Sequence, residues 1–249
     1  MTISNEDELE SLKAIGRIVA NTLEAMGAAL EPGMTTAELD AIGRRLLEEA
    51  GARPAPEQCY DFPGATCISV NEEIAHGIPG ARRIEAGDLV NIDVSAQKDG
   101  FFADTGASFP VPPVSRAIER LCRDGKRAMW AGIRTVATDR PLGDIGMAIG
   151  AFAHRNRYTL IRNLASHGVG RSLHEKPTEI ATWPEPGDDR AMTEGLVFTV
   201  EPFLSMGGQW AEDGDDDWTL FSEPRAPTVQ YEHTVVATRR GPVVVTLPG

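Results

Sequence analysis

Along the first fifty residues the apolar positions recur at helical spacing. Leu9, Leu12, Ile15, Val19, Leu23 and Met26 share one face, which predicts an amphipathic helix of about five or six turns. Asn5-Glu6-Asp7-Glu8 is a weak variant of a capping box ahead of it. Glu31-Pro32-Gly33 breaks the pattern, Thr35-x-x-Glu38 opens a second helix through Leu39, Ile42, Leu46 and Leu47, and Gly51 closes it. The proline-rich stretch from Arg53 to Gly64 reads as a loop. From Cys67 the period changes to that of strands: Cys67 to Val70, Asp88 to Ala96 and Phe101 to Pro110, the last two joined by Asp99-Gly100. Asp-Gly between β-type runs signals a hairpin.

The plan then repeats. Ser115 is a suitable N-cap, and Ile118, Leu121, Met129, Ile133 and Val136 form a helical stripe that Arg140-Pro141 interrupts. Ile145, Ile149 and Phe152 mark the next helix, followed by strands near Tyr158 to Ser166, Gly195 to Phe203 and Gln230 to Ala237. Pro32 and Pro141 stand 109 residues apart, and Gly87 and Gly195 stand 108 apart. Helix, helix, strand, strand therefore recurs in register, which predicts an α+β fold of two related halves, about 1–112 and 113–249, sharing one sheet and one core. The expectation is a single domain over 1–249.

Composition narrows the class. With 41% hydrophobic and 24% charged residues the chain is an ordinary globular protein. It has no apolar run long enough to cross a bilayer and an acidic start, which points to a cytoplasmic protein without membrane attachment. A net charge of −13 argues against autonomous nucleic-acid binding. The basic cluster Arg116, Arg120, Arg123, Lys126 and Arg127 reads as a solvated helix face, and Glu212 to Asp217 as a solvated turn. Cys59, Cys67 and Cys122 are odd in number and lack CxxC spacing, so reduced thiols are expected.

The repeat also carries chemistry. Gly87-Asp-Leu-Val-Asn-Ile-Asp93 and Gly195-Leu-Val-Phe-Thr-Val-Glu201 each end an apolar run in an acid. Upstream of them stand His76-Gly77-Ile78 and His167-Gly168-Val169. A buried carboxylate is costly unless a cation meets it. If the Asp99-Gly100 turn has two residues, Asp104 lies opposite Ser95 with Asp93 diagonal to it on the same face. Two such acids repel unless a cation or a shared proton intervenes. His167 and His174, seven apart with two glycines between, read as a strand end, a tight turn and a return rather than a helical zinc motif. Glu232, ahead of a β-branched run, is weak alone and gains meaning only within the set.

Taken together, Cys67 to Pro79, Gly87 to Asp93, Ala103-Asp-Thr-Gly106, His167 to Glu175, Phe198-Thr-Val-Glu-Pro202 and Tyr231-Glu-His-Thr234 resemble type I methionine aminopeptidases of the short bacterial form, over essentially the whole chain. The resemblance implies the pita-bread α/β architecture, with two pseudo-twofold halves around a curved antiparallel sheet and helices outside. It implies a hydrolase that removes N-terminal methionine from nascent proteins and peptides with a small second residue. Asp93, Asp104, His167, Glu201 and Glu232 would hold two divalent ions, with Asp104 and Glu232 as bridges. Such mostly hard donors suit Co²⁺, Mn²⁺ or Fe²⁺, with Zn²⁺ or Ni²⁺ as further candidates. Glu201 would move the proton of the attacking water, and His76 and His174 would hold the scissile amide. Phe62, Cys67, Leu173 and Trp218 would line the methionine pocket, with Cys59 at its edge. The family usually has an aromatic residue where Leu173 stands and another near Cys59; losing two rings would widen the pocket or weaken methionine selection. The implied partner is a peptide or nascent-chain N-terminus, met by a monomer, and a transient ribosome contact is left open. The alternatives are an Xaa-Pro aminopeptidase, a metal-free binding protein on the same fold, and a calcium-binding acidic module.

Overall fold

The computed structural model describes all 249 residues. Five helices form: α1 Glu6–Ala29, α2 Thr36–Glu49, α3 Ala55–Tyr60, α4 Arg116–Ile133 and α5 Gly143–Asn156. Their starts follow from local chemistry. The Asn5 side chain accepts from Glu8 N, whereas the Glu8 carboxylate reaches past Asn5 to Ser4 N, so only half of that capping box is made. At α2 both halves of the Thr35/Glu38 box are present, and Ser115 caps α4 by accepting from Ile118 N.

Helix α3 corrects the expected loop between Arg53 and Gly64. Arg53–Pro54 pairs with a sheet strand, and the chain then turns into a helix with Pro56 in its first turn, where a missing N–H costs nothing. Asp61, in the left-handed region at φ 55°, ends it.

Every strand pairing is antiparallel. In the first half Leu89–Lys98 pairs with Phe101–Pro110 on one edge and with Arg53–Pro54 and Cys67–Val70 on the other. Asp99 and Gly100 both have positive φ, 52° and 83°, as the tight hairpin requires. Asp104 accordingly sits opposite Ser95. In the second half the order is Gly241–Val244, His233–Thr238, Val197–Val200, Ser166–Gly168 and Glu175–Ile180. Two further short ladders form, one over Thr159–Leu160, Phe203–Ser205 and Thr228–Gln230 and one over Glu73–Ala75, Trp210–Asp213 and Leu220–Glu223.

Helix α1 packs Leu12, Ile15, Val19 and Met26 on the first-half sheet against Ile92 and Val94. Helices α4 and α5 pack Leu121, Met129, Ile133, Ile145 and Ile149 on the second, against Phe198 and Val235. The buried apolar residues form two large clusters and a small one around Phe203, and the first cluster also takes in Val169, Val197 and Val236 from the second half. The sheet is not one continuous ladder. Where the halves meet, hydroxyls splice the strands. Thr234 Oγ1 accepts from Asp104 N and donates to Asp104 O, Thr105 Oγ1 donates to Glu232 O, and Ser108 Oγ donates to Gln230 O; one main-chain bond, Glu232 N to Gly106 O, completes the seam. This seam sets Asp104 beside Glu232.

No helix is long and apolar enough to cross a membrane. The acidic run Glu212 to Asp217 turns the hairpin between Trp210–Asp213 and Leu220–Glu223. Asp216 spends its carboxylate on Trp218 N, Thr219 N and Thr219 Oγ1.

Candidate metal centre and peptide cleft

Between the halves lies a cleft of about 360 Å³. Asp93, Asp104, His167 and Glu201 line its floor. Asp104, His167 and Glu232 offer ligand atoms that all lie within 4.8 Å of one another. His167 Nε2 stands 3.5 Å from Glu201 Oε1 and 4.0 Å from Asp104 Oδ2. The Asp93 and Asp104 carboxylates lie close enough for each charge to act on the other. The four acids and one imidazole named from the sequence thus come from both halves to one place.

Their supports are polar and specific. His167 Nδ1 bonds Gly168 O at 3.1 Å, so the ring proton sits there and Nε2 turns its lone pair to the carboxylates. Thr199 Oγ1 accepts from His167 N and donates to Glu201 Oε1 at 2.6 Å, and Ser166 Oγ receives Glu201 N. Gln230 spans the seam: its Oε1 accepts from Asn91 and its Nε2 donates to Glu232 Oε2 at 2.9 Å. A Cβ on residue 106 would lie 2.4 Å from Gln230 Oε1, which is why glycine stands there. Replacing Gln230 by leucine strands a buried carboxylate oxygen and weakens the bonding of a buried amide. Urea denaturation should show a loss of roughly 1–3 kcal/mol. An unchanged midpoint would show that the Gln230 chain does not hold this seam.

Crowding buried acids raises their proton affinity. Burial lifts Asp104 to about 6 and Glu201 to about 8, the latter helped by the Asp104 charge. Asp93 and Glu232 are pushed well up by burial and then by their carboxylate neighbours. Burial drives His167 down to about 3, with His174 and His76 adding to it. The imidazole is therefore neutral, as a ligand must be. Asp104 Oδ1 and Glu232 Oε1 are buried with no hydrogen-bond partner. Two unpartnered carboxylate oxygens beside a neutral imidazole nitrogen fit divalent cations.

The remaining sequence-named residues surround this floor. His76, at φ 54°, and His174 are open to the cleft yet enclosed on their other sides, and lost hydration lowers both pKa values. His174 stacks on His167, ring centroids 3.9 Å apart. Phe62, Cys67, Leu173 and Trp218 all line the cleft, with Phe62 edge-on to Trp218 at 5.2 Å. Cys59 does not. It is exposed outside the cleft, and the lining residue is its neighbour Tyr60. The wall taken from sequence to have lost two rings therefore keeps one. Ala75 and Phe203 also line the cleft, though sequence reading did not name them; Ala75 lies on a three-residue strand too short to show a period.

Residues 10–239 match metallopeptidase family M24. The chain belongs to that family. This metallopeptidase is 44% identical to a methionine aminopeptidase of Staphylococcus epidermidis, over 99% of the chain and 98% of the relative. It is 43% identical to methionine aminopeptidase 2 of Bacillus subtilis (strain 168), over 99% of each. Among solved structures, methionine aminopeptidase from Rickettsia prowazekii superposes with a TM-score of 0.94 at 34% identity, covering 99% of this chain and 100% of that one. The M24 chain thus has the pita-bread architecture that the resemblance implied, in agreement with its two-half repeat, and its family uses divalent metal ions.

Proposed function

We propose that the chain is a methionine aminopeptidase that hydrolyses the first peptide bond of peptides and nascent chains with a small second residue. It would act as a cytoplasmic monomer, its two halves forming one catalytic domain over 1–249. The observation that carries this reading is the pair of unpartnered oxygens of Asp104 and Glu232 beside His167 Nε2, at the floor of an apolar-walled cleft. Asp93, Asp104, His167, Glu201 and Glu232 would hold two divalent ions, Co²⁺, Mn²⁺ or Fe²⁺ in preference to Zn²⁺ or Ni²⁺. When bound, such ions polarise the scissile carbonyl and bring the pKa of water from 15.7 toward about 7.

The protein's own groups do the rest. Glu201 lines the cleft floor 3.5 Å from His167 Nε2, where its carboxylate can take the proton of the attacking water and return it to the leaving amine. His76 and His174 stand on the cleft wall where an N–H can meet the scissile amide oxygen and the charge that develops on it. Phe62, Cys67, Leu173 and Trp218 offer an apolar seat for the methionine side chain. The carboxylates would neutralise the substrate ammonium, which confines cleavage to the first bond.

Hydrolysis of Met-Ala-Ser against Ala-Pro-Ala by Mn²⁺-reconstituted protein tests the substrate. Release of methionine from the first peptide only is expected. Cleavage of the proline peptide alone would make the chain an Xaa-Pro enzyme, and no cleavage with no bound metal would make it a binding protein.

A further inference from the structure

The short helix α3 has a consequence for the catalytic wall. Its last residue, Tyr60, brings its phenol oxygen to 2.6 Å from Nδ1 of His174, and the two rings meet edge-on with centroids 5.5 Å apart. The arrangement is held from behind. Glu57, one turn earlier in α3, forms a two-pronged ion pair with Arg44 of α2, and Asp61 N closes the helix on Glu57 O. His174 is gripped on its other side by the stacked ring of His167.

At 2.6 Å the two groups are hydrogen-bonded, and the direction is set by the tautomer of His174. The phenol has one proton and no other acceptor within the protein, and a neutral imidazole has one ring nitrogen that accepts. With the hydroxyl as donor, Nδ1 is the accepting nitrogen, and Nε2, which makes no bond within the protein, carries the proton.

We propose that Tyr60 is a positioning residue for the reaction: its phenol, by donating to His174 Nδ1, commits that ring to the tautomer and orientation that present Nε2–H to the scissile amide oxygen. The proposal rests on the reading of His174 as a donor given above. It assigns to the wall a role that the residue types of the motif do not show, because Tyr60 and His174 are 114 positions apart. It also predicts a kinetic signature. A group that only aims a transition-state donor affects kcat, and leaves substrate binding in the ground state intact.

The test is Tyr60→Phe, which keeps the ring on this exposed residue and removes only the hydroxyl. In Mn²⁺-loaded enzyme kcat for Met-Ala-Ser should fall about tenfold, as when the partner that orients a catalytic imidazole is removed, with KM within about twofold. A second readout is independent of activity. In ¹⁵N NMR of metal-free protein, His174 of the parent should show a protonated Nε2 and an unprotonated, hydrogen-bonded Nδ1, and Tyr60→Phe should lose the hydrogen-bond shift at Nδ1. A proton found on Nδ1 of the parent would overturn the proposal. So would full activity of Tyr60→Phe alongside an inactive His174→Ala. A fully active His174→Ala would instead remove the donor role itself, and the NMR signature would still report whether the bond exists.

Discussion

Replacing Asp104 by asparagine is expected to abolish methionine release while making the metal-free protein more stable at pH 8. The two effects share one cause. Asp104 sits among four carboxylates, with Glu232 buried beside it and Asp93 and Glu201 half-buried, and lies 4.0 Å from His167 Nε2. Burial raises its pKa from 3.8 to about 6, so at pH 8 it is ionised at a cost on the order of 2–3 kcal/mol relative to the unfolded chain. An amide of the same shape carries no such cost. For a chain of this length the thermal midpoint should rise by roughly 5–10 °C. Activity should fall by about 10³-fold or more, because a metal-polarised transition state is worth several kcal/mol and each 1.36 kcal/mol is tenfold. Paired melting curves and rate measurements decide it. A destabilised metal-free variant, or one that keeps its activity, would show that Asp104 is a structural acid.

Metal and proton should compete for the same cluster, and the competition should reverse the pH dependence of stability. A carboxyl with a raised folded pKa stabilises the fold fully below its unfolded value, near 4, and loses that contribution as pH climbs through the folded value. Glu201 at about 8, with Asp93 and Glu232 also raised, therefore withdraws stability from the metal-free protein as the medium becomes alkaline. Buried histidines act in the opposite sense, because His167 at about 3 and His233 at about 4 stay neutral where the unfolded ring charges. That loss occurs below about pH 6.5. Between about pH 7 and 8.5 the histidines are largely neutral in both states and the raised acids dominate, so the midpoint of the metal-free protein should fall across this window. Saturating Mn²⁺ should displace the protons and stabilise most at the alkaline end, by about 4 kcal/mol at a thousand times Kd. A metal-free midpoint that is flat or rises over this window would contradict the buried, crowded cluster.

How far the sequence announced this site depends on which physical signals are local. The Asp99-Gly100 turn is legible because it needs two residues that tolerate positive φ, and the hairpin register then places Asp104 opposite Ser95. Asp93 followed from the same register. The capping box at Thr35 and the repeat of 108 to 109 residues were equally open to inspection.

Other features depend on contacts between distant segments. Glu201 and Glu232 fall in breaks between short strands, Val197–Val200 and Phe203–Ser205 in one case, Thr228–Gln230 and His233–Thr238 in the other. Sequence periodicity ran through both breaks and predicted continuous strands. Helix α3 was hidden because six residues containing a proline carry no period, so Tyr60 was overlooked and Cys59 was given its place. The hydroxyl seam of Thr105, Ser108 and Thr234 was unreadable, since a threonine in a strand looks the same whether it faces solvent or splices two sheets.

Anomalous X-ray scattering from crystals of the Mn²⁺-loaded protein tests the central claim most directly. The predicted result is strong anomalous density among Asp104 Oδ1, Glu232 Oε1 and His167 Nε2, with Glu201 and Asp93 within ligand reach of it. Density confined to surface acids such as Glu212 to Asp217, with the floor of the cleft empty at saturating Mn²⁺, would contradict it.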